Sequence, residues 1–264
     1  TRYGTVTGVQ TCALPILYRV INARFANQVA SGRVIVINCV LTDDESRTET
    51  PFYIHNTRHV CSQLPKPVKH LSDFTEVTLP CATAASIIAK HGPAYYIKID
   101  IERYDGPILR NLFMHGVVPP YISAEAHDVS VFALLVALGG YNAFKLVDGA
   151  SVAELYKGRR LGTEGGEVVY DFPSHSAGPF GDDIDGPWMT ANAFARVLAY
   201  EGQGWKDVHA TNRGVADPAA RPSELAYCYR VIGESIRAGV NRPIRRMRSI
   251  GSRLKAQVSR MFRA

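Results

Sequence analysis

Two short stretches place carboxylates and an imidazole where they could do chemistry. Residues 95–105 read YYIKIDIERYD, and Asp100 and Glu102 follow an apolar run at alternate positions. Residues 122–127 read ISAEAH, and Glu125 and His127 follow a second apolar run in the same way. Acids at neighbouring strand ends can bind a cation, orient a substrate hydroxyl or act as a general base. A histidine beside them can take up a proton near neutral pH. The simpler alternative is helix capping, which suits Asp105 more than Glu102.

The elements that would carry these residues can be read along the chain. Residues 17–30 carry Val20, Ile21, Phe25 and Val29 at helical spacing, and Ser31-Gly32 can end that helix. Residues 34–41 (VIVINCVL) read as one strand buried on both faces, as in a parallel sheet. Short strands are predicted at 52–54 and 74–79, with an irregular crossing over 56–73. A helix is predicted over 82–90, ended by Gly92-Pro93. Then come a strand at 95–100 and a helix from Asp105, with Pro107 tolerated in its first turn. A strand over 121–126, a helix over 129–138 and a strand over 141–147 follow. This alternation predicts an α/β domain with a mostly parallel, doubly wound sheet covered on both faces. In such sheets ligands bind beyond the carboxyl ends of the strands, where the acids lie. Further on, a strand over 168–172, a loop over 174–188 and helices over 190–200 and 223–237 are predicted.

The run YYIKIDIERYD resembles the strand motif of the FkbM-like methyltransferases, an apolar strand followed by Lys-Ile-Asp-Val-Glu-Gly-x-Glu. Lys98, Ile99, Asp100 and Glu102 match it. Arg103 stands where that pattern has Gly, and Asp105 where it has a second acid. If that Gly takes a left-handed conformation, Arg103 must be strained or the turn must differ. Residues 33–41, 122–127, 176–188 and 205–210 are similar to other segments of the family, so the resemblance spans roughly residues 17–210. It implies a class I, Rossmann-like fold and methyl transfer from S-adenosylmethionine to a hydroxyl of a sugar or natural product. By their place at the strand ends, Asp100 and Glu102 are then expected to position the acceptor or a cation. Glu125 or His127 would then assist deprotonation, and Val40, Leu41 and Asp100 would contact the cofactor.

Class I enzymes hold that cofactor on a glycine-rich turn after the first strand, and this sequence offers none. GTEGG at 162–166 lacks the spacing, and GQG at 202–204 lacks a third glycine. Residues 6–16 (VTGVQTCALPI) resemble the conceptual translation of a sequencing-adapter primer, so residues 1–16 are set aside from fold reasoning. Together these features lead us to expect a partial domain over 17–210 that lacks the first strands. Residues 34–41 and 95–100 would each expose an unpaired edge, and cofactor binding would be weak.

Composition bounds the rest. The chain has 264 residues, 46% hydrophobic, with no apolar run of membrane-spanning length and no signal peptide. Its five cysteines, none in a CxxC spacing, read as reduced thiols in a cytoplasmic protein. No metal site is expected, since His55 and His59 lack the zinc-protease glutamate, and no serine hydrolase is expected, since no GxSxG elbow exists. Trp188, Trp205, Phe132, Leu134, Leu135 and Leu138 read as core, and Asp207 and His209 as buried on one strand face.

Net charge is +6, yet residues 235–264 hold nine Lys or Arg and no acid. The remaining body has 21 basic against 24 acidic residues. The tail repeats Ile244, Met247, Ile250, Leu254, Val258 and Met261 at steps of three or four, amid arginines. Residues 211–264 therefore read as a helical basic extension. It could pack on the domain or lie on an anionic membrane, with nucleic acid the weaker expectation. A second reading of the whole chain follows, a non-catalytic Rossmann-like remnant that works through this tail.

Overall fold

A computed structural model describes residues 6–10, 15–58, 61–163, 165–174 and 176–213. Residues 214–264, with the helix expected over 223–237 and the basic tail, lie outside the described residues, while Thr211 belongs to the domain. At the centre is a five-stranded sheet made of β6 (Tyr96–Ile99), β7 (Tyr121–Glu125), β8 (Ala143–Asp148), β11 (Met189–Thr190) and β12 (Lys206–Thr211). Its order is β11-β8-β12-β7-β6. β6 and β7 are parallel, while β12 runs antiparallel to both β7 and β8. The sheet is therefore mixed rather than mostly parallel. The reason is long-range: residues 205–211 return and insert between β7 and β8, which local periodicity does not reveal.

The strands alternate strictly between two faces, as the pleat requires. Ile97, Ile99, Ile122, Ala124, Phe144, Val208 and Ala210 share one face and form the main core. Against them pack α4 (Asp105–Met114), α5 (Val129–Ala137) and α7 (Ala191–Glu201), through Ile108, Leu109, Leu135 and Phe194. α5 starts at Asp128, whose side chain accepts from the Ser130 N–H, and α7 starts at Thr190 in the same manner.

The opposite face corrects the expectation of helices on both sides. It carries Tyr96, Lys98, Ser123, Glu125, Asp207, His209 and Lys145. It meets the short α6 (Val152–Leu155) and the irregular residues 172–188. Phe180 stacks on Tyr96, Ile184 packs with Val147 and Val152, and Trp188 lies by Tyr121. Most of this polar face is paired within itself, Tyr96 with Ser123 and Lys98 with Asp207, while Lys145 donates to the Ile184 carbonyl.

Residues 34–41 are not one strand. They divide at Cys39 into β2 (Val34–Asn38) and β3 (Val40–Thr42), each half with a different partner. β2 pairs in parallel with β1 (Val6–Gln10), inside the segment set aside above. The helical stretch between them divides at Phe25 into α1 (Pro15–Arg24) and α2 (Ala26–Ala30). β3 pairs in parallel with β5 (Phe74–Thr83), which pairs antiparallel with β4 (Glu49–His55). α3 (Ala84–His91) follows, capped by Thr83 and ended at Gly92, whose φ is 94°. Among the described residues no ladder joins β3 to β6, so β6 is the outer strand of its sheet.

The strand expected at 168–172 is β10 (Gly166–Tyr170), in an exposed hairpin with β9 (Arg159–Thr163). Leu138 and Trp205 are corrected from core to partly exposed; Trp205 lies flat over Gly149 instead. Among the described residues no helix is long and apolar enough to cross a membrane.

Candidate functional site

The carboxyl ends of β6 and β7 bring the predicted residues into one cluster. β7 ends at Glu125, which is 7% exposed, and His127 Nε2 stands 3.0 Å from its Oε2. The facing Glu125 carboxylate raises the His127 imidazole pKa. Burial opposes that rise, and the charges of Glu125, Asp105 and Glu102 add to it. β6 ends before Asp100, whose half-exposed carboxylate lies 3.3 Å from Lys98 Nζ.

Glu102 and Arg103 form the turn between β6 and α4, with φ of 46° and 72°. Both are left-handed, the conformation a glycine would adopt without cost, so the turn is strained at Arg103. The turn aims Glu102 at the cluster. Its pKa is raised by burial, then by the Glu125 charge.

Asp105 is not the cap of α4. It is the first residue of the helix, whose N-cap is Tyr104. Its Oδ1 instead accepts the Glu125 backbone N–H at 3.3 Å, tying α4 to β7. It is 1% exposed, and Oδ2 has no hydrogen-bond partner. Burial pushes this carboxyl up to about 6.

Sequence reasoning named Lys98 and Asp207 without giving either a role in the site, and it missed Asp43. Asp207 on β12, opposite Glu125 in register, holds Lys98 Nζ at 2.8 Å. Burial acts to lower the Lys98 pKa, and the Asp207 and Asp100 charges outweigh it. Lys98 is thus a fixed cation behind Asp100. The third is Asp43, exposed just past β3, which accepts from the Tyr104 hydroxyl at 2.5 Å. Asp43 was findable, because the strand-end rule applies to β3 as well as to β6.

Val40 and Leu41 do not reach the site as expected. They are 2% and 8% exposed, and Leu41 belongs to the core with Ile99 and Ile101. Among the described residues no group of His, Cys, Asp or Glu could hold a metal ion. A groove of about 560 Å³ between α3 and the 45–47 loop includes none of the site residues. No protein-family model, no curated protein and no solved structure matches this chain.

Proposed function

We propose that this chain is a methyltransferase of FkbM type, acting on a hydroxyl of a sugar or natural product with S-adenosylmethionine as donor. The observation that carries the reading is the meeting of Asp100, Glu102, Glu125 and His127 at the ends of two adjacent parallel strands. The matching motif lies on the first of those strands. The β6-β7-β12-β8 order is compatible with a class I sheet.

The fit of the donor is divided. Asp43 and Asp100 are acceptor-only groups beyond the ends of β3 and β6, suited to hydroxyl and ammonium donors. Val40 and Leu41 offer no surface for an adenine ring. When bound, the donor supplies an electrophilic methyl group.

The chain's own residues would then position and deprotonate the acceptor. Glu125 faces His127 Nε2–H, so neutral His127 takes the hydroxyl proton on Nδ1 and Glu125 stabilises the imidazolium that results. Lys98 holds Asp100 in place, and Asp100 with Glu102 orients the acceptor. Methyl transfer depends mainly on such positioning.

His127 must be neutral to act, so the rate rises with pH through its raised pKa. Glu125→Gln removes the group that raises it, so the inflection moves to lower pH. A pH profile of labelled-methyl transfer to a panel of sugar and natural-product hydroxyls tests both points. A profile unaffected by Glu125→Gln would remove the dyad from the mechanism.

A further inference from the structure

The polar face of the central sheet contains a second group of functional side chains that the methyl-transfer reading does not use. Lys145 on β8 is 3% exposed, and its Nζ donates to the Ile184 carbonyl at 2.6 Å. It also faces the Trp188 ring at 4.8 Å from the centroid. Arg159 donates to Asp185 Oδ1 and to the Asp183 carbonyl, both at 2.6 Å. Three consecutive residues, 183–185, thus give their oxygens to two cations. Beside Lys145, in direct register across β12 and β8, is His209. It is 3% exposed, and neither ring nitrogen has a hydrogen-bond partner.

Structural packing alone accounts poorly for this arrangement. The adjoining cluster of Val147, Val152, Ile184 and Tyr156 is largely apolar, and a Met or Leu at 145 would fill the same place without burying a charge. Burial lowers the Lys145 ammonium to about 8, which the nearby Asp182 and Asp185 only partly offset. Its hydrogen bond goes to a neutral carbonyl, which compensates a buried ammonium less than an anion would. His209 is held neutral, so one nitrogen is an N–H donor. An ammonium and a guanidinium therefore meet a segment rich in acceptors, with an imidazole N–H beside the ammonium, and Asp185 Oδ1 with the Asp183 and Ile184 carbonyl oxygens stands in for an anionic ligand.

We propose that Lys145, Arg159 and His209 form an oxyanion subsite, filled in this state by residues 183–185, which binds a carboxylate or phosphate group when those residues withdraw. The subsite stands independently of the methyl-transfer reading.

Trp188 is the reporter, since it rests on Lys145 and the chain has two tryptophans. In the full chain carrying Trp205→Phe, Trp188 emission is followed against inorganic phosphate and, separately, succinate. Chloride at matched ionic strength is the control. A saturable change with either anion is expected, and the responding anion identifies the ligand as phosphate-type or carboxylate-type. Lys145→Met and Arg159→Gln should each weaken the response at least tenfold. If Lys145→Met does not fold, the more exposed Arg159→Gln decides alone. No saturable change beyond chloride overturns the proposal, as does an unchanged midpoint in the folded variants.

Discussion

Asp105 ties α4 to β7 through Oδ1 and leaves Oδ2 buried and unpartnered. Its pKa of about 6 lies above the unfolded value of about 3.9. Between pH 4 and 6 the folded state therefore holds more protons than the unfolded one, and stability falls as pH rises through that window. Asp105→Asn keeps the acceptor and removes the charge. The variant should match the wild type near pH 4 and exceed it above pH 6, by at most about 3 kcal/mol. Denaturant melts at both pH values check this; an equal difference at pH 4 and pH 7 would contradict it. Two positions earlier, Arg103 sits at φ 72°. Arg103→Gly relieves that strain and should raise the urea midpoint by the equivalent of about 1 kcal/mol. The left-handed turn was legible in the sequence, because the glycine of the resembled pattern marks it. The buried state of Asp105 was not, because it depends on β7, twenty residues away.

At the level of elements, local pattern was legible and pairing was not. Strands at 96–99 and 121–125 and helices at 84–91, 105–114 and 129–137 lie within a few residues of where periodicity and caps place them. The division of residues 34–41 and the insertion of β12 escaped, because strand partners are chosen over long sequence separations. The polar alternation Lys98-x-Asp100, Ser123-x-Glu125 and Asp207-x-His209 was present in the sequence, yet only the assembled sheet places all three on one face. Trp205, taken from sequence as core, instead lies against the turn after β8. A Cβ at Gly149 would stand 2.4 Å from its ring. Gly149→Ala must displace that ring, at a cost of about 1–3 kcal/mol. A lower melting temperature with altered tryptophan emission would show it, and an unchanged melt would mean that the ring moves freely.

Across the whole molecule, one sheet organises two polar centres on the same face. The acid cluster lies at the carboxyl ends of β6 and β7. The Lys145–His209 pair lies further along the strands, under residues 176–188. The first centre is the one at which we propose methyl transfer. Isothermal titration with S-adenosylmethionine probes it. It compares the 264-residue chain with a chimera in which residues 1–16 give way to the first strand, glycine-rich turn and second strand of an FkbM-like methyltransferase. Because the sequence itself carries no such turn, the chimera should bind the donor at least tenfold more tightly than the chain alone. Asp100→Asn in the chimera should weaken that binding by about tenfold or more, the equivalent of one charge-assisted hydrogen bond. A folded chimera that takes up no S-adenosylmethionine would contradict the methyltransferase account.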